Sequence, residues 1–261
     1  KSTQNPGLTV WTSRGSGAVE KSYFVPNADN ESIVEFDYSQ ADARIVAAYS
    51  GDTEFAKRFA PGADAHLITA NAVWPGTGYD RTNPETEERR QTAKALGHAY
   101  AYRAGPRTLA KTAKQPLEVA QKFVDAMNRA YPRVTRWQEN VTREGQRYGY
   151  VVNWWGRRMI VEKDREFTQA PALYGQSGTR ELVVDGLIRM ARRDTRTIRM
   201  LLGQVHDALV FSIPDDELDH YVTLIRECME TIWGPRDKRG QDIKFPVSAG
   251  KPAKNWFSAS H

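Results

Sequence analysis

Two aspartates stand out by where they fall in the chain. Asp37 ends the short apolar run Ser32-Ile33-Val34-Glu35-Phe36, and Asp207 sits at the tip between two apolar runs, Met200–Val205 and Leu209–Ile213. They are distant in sequence, yet the ends of neighbouring strands can meet, and two carboxylates facing one point can hold divalent cations. Phosphoryl transfer assisted by two such ions needs hard oxygen ligands around cations about 3.5–4 Å apart; one ion activates the attacking hydroxyl and the other neutralises the leaving phosphate. A single strand-terminal Asp is more often a turn residue or a helix cap, so the pair alone does not decide. Arg90 and Lys94 form a second group. One helical turn apart, they place two cations on one face, and on an arbitrary helix such a pair is usually a solvated face.

The elements that position these residues change type along the chain. The first thirty residues, rich in Gly, Pro, Ser and Asn, read as irregular structure with short strands around Leu8–Trp11 and Tyr23–Val25. Ser32–Asp37 reads as a strand, and Ser39–Ser50 as a helix stopped by Gly51. Helices follow over Ala65–Val73, Glu85–Tyr102, Pro116–Tyr131 and Pro132–Arg147, with proline suited to a first helical turn. Tyr150–Trp154 and Arg158–Val161 predict a hairpin turning at Gly156. Gly178–Asp194 predicts a helix, Met200–Ile213 a second hairpin with Asp207 at its tip, and Asp215–Trp233 a last helix. Strand and carboxylate, helical block, then hairpin and carboxylate: this order predicts an α+β unit split in sequence by a helical insertion.

Composition narrows the class. The chain has 261 residues, 40% hydrophobic and 26% charged, which excludes a disordered tail. No apolar run reaches the roughly 18 residues of a spanning helix. One cysteine, Cys228, excludes an internal disulfide or a zinc site built on paired thiolates, predicts a buried small side chain, and fits a reducing compartment. The net charge of +5 is unevenly spread: residues 89–165 hold 17 Lys and Arg against 6 Asp and Glu, leaving the remainder net acidic. A cationic middle of this kind suits contact with a phosphate backbone. The chain starts without Met and runs directly into Asn5-Pro6-Gly7, so it reads as a fragment of something longer.

Four motifs carry a family resemblance. Asp37-Tyr38-Ser39-Gln40-Ala41-Asp42-Ala43-Arg44 resembles the first conserved motif, DYSQxExR, of the family A DNA polymerases, the DNA polymerase I group, with Asp42 in place of Glu. Arg90, Lys94, His98 and Tyr102 recur at the spacing of that family's RxxxKxxx[FY]xxxY helix. Gln204-Val205-His206-Asp207 is similar to its QVHDE hairpin, with Ala208 for Glu, and Asp64–Ala70 fits its D-x-H-x-x-T-A segment. The motifs stand in the family's order and span nearly the whole chain. Asp in the first motif places the likeness nearest to polymerases of actinobacterial phages.

The resemblance implies a right-hand polymerase palm, residues 1–43 and 166–261, with an antiparallel sheet, and helical fingers, residues 44–165, inserted into it. The thumb is absent from the chain, and it and any exonuclease are expected upstream, on the same or another chain. The implied activity is template-directed addition of dNTPs to a primer 3′-hydroxyl with release of pyrophosphate. Asp37, Asp207 and the Tyr38 backbone carbonyl would bind two Mg²⁺ ions, for which Mn²⁺ can substitute. Arg90, Lys94 and His66 would contact the triphosphate, with Lys94 also protonating the leaving pyrophosphate. His98 would face the incoming nucleotide and Tyr102 the templating base, while Gln40 and Asp42 would line the sugar and exclude a ribose 2′-hydroxyl. His206 would contact the primer end, Gln176 the minor-groove edge of the new pair, and Arg157 and Arg158 the DNA. Implied partners are primer–template DNA and dNTPs, with no membrane, in the cytoplasm, that of the host if phage-encoded.

Three departures bear on this reading. His98 replaces Phe or Tyr, Ala208 removes a carboxylate near the metals, and Arg103 replaces the glycine that follows Tyr102 in the family. Ala208 and the missing thumb keep open a nucleic-acid-binding module that has lost catalysis. A single-subunit RNA polymerase relative shares the architecture, against which Asp42 and the DYSQ sequence weigh.

Overall fold

A computed structural model describes residues 17–75, 83–235 and 240–259. The strand expected around Leu8–Trp11 lies outside them. In chain order the elements are α1 (Gly17–Ser22), β1 (Glu31–Tyr38), α2 (Ala41–Ser50), α3 (Thr53–Ala56), α4 (Ala65–Val73), α5 (Pro84–Ala101), α6 (Pro106–Ala113), α7 (Leu117–Ala130) and α8 (Pro132–Tyr148). There follow β2 (Tyr150–Val152), β3 (Arg158–Ile160), α9 (Glu166–Arg193), α10 (Arg196–Met200), β4 (Leu201–Val205), β5 (Ala208–Pro214), α11 (Leu218–Met229), β6 (Thr231–Trp233), β7 (Ile243–Phe245), β8 (Val247–Ala249) and α12 (Trp256–Ala259). They divide into two compact units, one of residues 1–41, 179–232 and 244–261, the other of residues 42–178 and 233–243.

The first unit is built on an antiparallel sheet in the order β4-β5-β1-β8. β1 is central, so both of its faces need apolar cover, and Ile33, Val34, Phe36 and Tyr38 are all buried. β5 is buried through Ala208–Ile213, and Phe211 meets Phe36 edge-to-face at 5.6 Å. Helix α11 turns Tyr221, Leu224, Ile225, Cys228 and Met229 inward. Its end is fixed by Tyr38, whose hydroxyl donates to the Met229 carbonyl at 2.7 Å. A smaller cluster, Ile33, Val210, Trp256 and Ala259, closes another part of the sheet.

The second unit is helical apart from the β2–β3 hairpin. Asp52 shows how single polar residues join its helices: Oδ1 caps α3 by accepting from the Phe55 N–H, and Oδ2 accepts from the Arg133 and Val134 N–H groups that open α8. Arg58 is almost fully buried, its guanidinium 4.6 Å from the Phe55 ring centroid, and Gly97 of α5 leaves room for it. The Gln241 amide donates to the Ala47 and Asp52 carbonyls, bringing residues 233–243 back to this unit.

Several expectations change. Tyr23–Val25 is not a strand but a turn and irregular chain after α1, the Tyr23 and Phe24 N–H groups donating back to the Glu20 and Lys21 carbonyls, with Tyr23 75% exposed; its β-prone residues find no partner strand there. Helix α6 is an addition to the expected elements, and it buries Leu109. Helix α9 starts twelve residues before the expected Gly178 and runs through Pro171, Gly175 and Gly178. The last long helix ends at Met229, and Thr231–Trp233 instead forms β6, paired with β7. Among the described residues no helix is long and apolar enough to cross a membrane.

The glycines of α9 are contact points rather than breakers. A Cβ at Gly178 would lie 2.8 Å from Ile45 Cδ1 and 2.9 Å from its Cγ2, so Ile45 of α2 sits directly on the α9 backbone. Gly178→Ala is therefore expected to destabilise the chain by about 1–3 kcal/mol, as overpacking does, whatever the gain in helix propensity. Urea unfolding of the variant checks this, and an unchanged midpoint contradicts it.

Candidate active site

Antiparallel pairing of β1 with β5 sets Asp37 opposite Ala208. Asp207, one residue earlier, thus lies at the same end of the sheet. The β4–β5 connection consists of His206 and Asp207, and His206 takes a left-handed φ of 54°. The Gln204 amide steadies this turn by donating to the His206 carbonyl at 3.0 Å. The Asp37 carboxyl is pushed up to about 7, first by burial, then by the negative charges of Asp207 and Glu35. Two acids placed to repel each other in this way form a site that a divalent cation relieves.

A main-chain oxygen joins them. Gly250 N–H donates to the Glu35 carbonyl at 2.8 Å, and Ser39 N–H donates to the Pro246 carbonyl at 3.0 Å. Main-chain groups alternate sides along a strand. Residues 35, 37 and 39 therefore face β8, and the Tyr38 carbonyl faces the β5 side, toward Asp207. Two half-buried carboxylates and a carbonyl are hard oxygen donors of the kind Mg²⁺ takes. Among the described residues no group of three or more His, Cys, Asp or Glu is placed to hold a metal, so the donor set rests on the pair. Glu35 shares Asp37's face of the strand but is engaged elsewhere: it accepts from the Trp256 indole N–H and lies 3.9 Å from Lys21 Nζ.

The helical unit holds a cationic cluster. Asp64 caps α4, Oδ1 accepting from the His66 and Leu67 N–H groups at 3.0 Å each, and its Oδ2 accepts from Arg90 Nε at 2.8 Å. One carboxylate thereby orders the α4 terminus and orients a cation of α5. Burial lowers the His66 imidazole to about 4, helped by the charges of Arg90, Lys94 and Arg58 and opposed by Asp64. His66 is thus neutral at pH 7 among cations, with a buried Nδ1 that has no hydrogen-bond partner. Such a concentration of positive charge favours an anionic ligand.

A third grouping joins Asp42, in the first turn of α2, to Tyr102, whose hydroxyl donates to Asp42 Oδ2. The Tyr102 ring lies against α9, where a Cβ on Gly175 would come within 3.2 Å of it. The next residue, Arg103, has φ 56°, a conformation that favours glycine. Its guanidinium compensates by donating to Thr142 Oγ1 at 2.6 Å and lying over the Phe167 ring at 3.9 Å. Gln40, Gln176, Arg157, Arg158 and His206 are exposed, Gln40 in a left-handed conformation and Arg158 over the Tyr150 ring at 4.2 Å. His98 lies in α5, its side chain outside the described set. Sequence reasoning gave no role to the Asp64 carboxylate, although an Asp just before a helix signals a cap. It also missed Glu35, whose alternation with Asp37 was the available clue.

The raised Asp37 carboxyl predicts a stability cost. Its folded value lies above the ordinary 3.8, so folding favours the protonated form, and stability falls as pH rises from about 4 through about 7. Asp37→Asn should stabilise the metal-free chain by on the order of 2 kcal/mol at pH 8, after discounting for partial exposure. The gain should vanish near pH 4, and Mg²⁺ should raise the melting temperature of the native chain but not of the variant. Thermal melts at the two pH values check it; a pH-independent difference contradicts it.

Comparison with known proteins agrees with the motifs. The family model described as DNA polymerase family A matches residues 2–257. The DNA polymerase of Mycobacterium phage D29 is 32% identical over 204 residues, covering 78% of this chain and 32% of the phage protein. The thermostable DNA polymerase I of Thermus thermophilus is 30% identical over 236 residues, covering 87% of this chain and 27% of its own length. A solved structure, the POL domain of Pol1 from M. smegmatis in complex with DNA primer-template and dNTP, shares the fold with a TM-score of 0.81 at 23% identity, covering 100% of this chain and 46% of that one. The chain thus spans about a third or less of the two relatives' length. By motif order, fold and family match, this chain belongs to DNA polymerase family A.

Proposed function

We propose that this chain performs template-directed DNA synthesis, adding dNTPs to a primer 3′-hydroxyl and releasing pyrophosphate. The observation that carries the reading is the paired carboxylates of Asp37 and Asp207, held at one sheet end by the β1–β5 register. Primer–template DNA and dNTP, the ligands of the M. smegmatis Pol1 domain, are the proposed substrates. In this reading residues 1–43 and 166–261 form the palm, residues 44–165 form the fingers, and the protein works in the cytoplasm.

Asp37, Asp207 and the Tyr38 carbonyl would hold two Mg²⁺ ions, which when bound lower the pKa of the attacking hydroxyl and neutralise the leaving phosphate. Arg90, Lys94 and neutral His66 bind the triphosphate, and His98 faces the incoming nucleotide. Arg90 exchanges its Asp64 partner for phosphate oxygens. The primer hydroxyl gives up its proton to solvent water and forms the new bond to the α-phosphorus, the bond to pyrophosphate breaks, and Lys94 donates a proton to the leaving oxygen. Asp42, fixed by Tyr102, lies with Gln40 along the sugar and excludes a 2′-hydroxyl, while Tyr102 borders the templating base. His206 contacts the primer end, Gln176 the minor-groove edge of the new pair, and Arg157 and Arg158 the DNA backbone.

Ala208, which puts a methyl group opposite Asp37, favours a second reading: a nucleic-acid-binding module without catalysis. Primer extension with Mg²⁺ separates the two. Asp207→Ala should lower extension by at least about 10³-fold with duplex binding retained, whereas binding without extension in the native chain supports the module. Asp42→Ala should raise ribonucleotide incorporation relative to dNTP use by about 10-fold or more. Equal use of both sugars by the native chain would instead favour an RNA polymerase relative.

A further inference from the structure

The helical unit contains a groove lined by none of the residues assigned above. One lobe, a cavity of about 240 Å³, is bordered by Tyr49, Trp137, Asn140, Glu144, Trp154 and Tyr174. A second lobe of about 120 Å³ shares Tyr49, Trp137 and Asn140 with the first and is bordered by Arg133 and Arg136. Helix α8 supplies the largest share of its lining. Residues 133, 137, 140 and 144 recur at helical spacing, so one face of α8 runs from cation through indole and amide to carboxylate.

The rings are fixed before any ligand arrives. Trp137 lies nearly parallel to Tyr49, with an interplanar angle of 22° and centroids 6.2 Å apart, and Tyr174 meets each edge-on, at 4.8 Å from Tyr49 and 5.8 Å from Trp137. The Tyr49 hydroxyl accepts from the Trp154 N–H at 2.8 Å, tying the hairpin loop to α2. Trp154 itself remains 45% exposed. Arg133 and Arg136 are exposed, and among the described residues neither takes part in an ion pair. A packing flaw flanked by solvated arginines needs no such arrangement of rings around it.

We propose that this groove binds one unpaired nucleotide of a single-stranded nucleic acid, the base among Trp137, Trp154 and Tyr174 and its phosphodiester on Arg133 and Arg136. Every base offers an aromatic face, and stacking of this kind tolerates any sequence. Asn140 and Glu144 border the base edge, Asn140 Oδ1 accepting from Arg143 at 2.7 Å and Glu144 Oε2 from the Tyr174 hydroxyl at 3.5 Å. The main lobe falls below the roughly 300 Å³ of drug-sized pockets, so it admits a single base, and a duplex keeps its bases stacked and out of reach. The inference rests on the proposed function only in identifying the unpaired strand as template waiting to be copied.

The test is fluorescence anisotropy of labelled (dT)10 with the chain, without Mg²⁺ or dNTP. The double variant Arg133→Ala/Arg136→Ala should weaken binding about 10-fold or more and lower the salt slope by about 0.7 for each phosphate no longer neutralised. Trp154→Ala, which removes an exposed and uncharged ring, should weaken binding about 5-fold or more, with blunt duplex binding unchanged in both variants. Unchanged (dT)10 affinity in both variants overturns the proposal, as does an equal loss of duplex binding, which marks a general basic surface. Free dTMP competing as effectively as the oligonucleotide, per nucleotide, would make the groove a mononucleotide pocket and also overturn it. A chain that never extends primers still reports on the groove in this assay, and a chain that extends primers but fails it contradicts this inference alone.

Discussion

The site depends on one strand register. With Asp37 opposite Ala208, two acidic side chains reach the same sheet end, and the buried strands around them leave little freedom to separate. Slipping β1 by one residue would turn Asp37 to the other face and expose Phe36 in its place. The apolar residues of β1 and β5 therefore enforce a charge arrangement that is unfavourable in itself, with Asp37 raised to about 7. Hydrophobic burial, at about 1.5–3 kcal/mol for each large side chain, is strong enough to impose it.

The chain separates its opposing charges between its two units. Carboxylates gather on the sheet, and the cations Arg90 and Lys94 of α5, with Arg58 ahead of α4, gather around a histidine kept neutral first by burial and then by their charge. Each group is steadied by a residue outside the expected catalytic set. Asp64 holds Arg90 while capping α4, and Trp256 with Lys21 engages Glu35 beside Asp37. In the same manner Tyr102 fixes Asp42, which is one methylene shorter than the glutamate of the family motif. Preorganisation of this kind is what a polyphosphate substrate needs, because groups already oriented lose little freedom on binding it.

Much of this was legible in the residues. β1, α4, α5 and the β4–β5 hairpin follow from apolar runs, caps and breakers, and the insertion of a helical block follows from the order of elements. The less legible parts depended on tertiary packing. The expected helix began only at Gly178, yet α9 starts at Glu166 and runs through Pro171 and Gly175, with Tyr102 and Ile45 packed where Gly175 and Gly178 carry no side chain. Tyr23–Val25 has strand-like residues and no strand to pair with. Arg103 stands where φ favours glycine, and only the structure shows Thr142 and Phe167 holding it there. Within the candidate site, residue types singled out Asp37, Asp207, Arg90 and Lys94 as candidates, and only the order of the motifs argued against a helix cap or a solvated face. The supporting hydrogen bonds of Asp64 and Glu35 join residues separated by 26 and 221 positions, which no local pattern reports.

The central claim is that Asp37 and Asp207 share bound cations, and electron paramagnetic resonance of Mn²⁺ titrated into the chain tests it most directly. The account predicts bound Mn²⁺ in the native chain and its loss on either Asp37→Asn or Asp207→Asn, each variant remaining folded. Undiminished Mn²⁺ binding in either variant would contradict it.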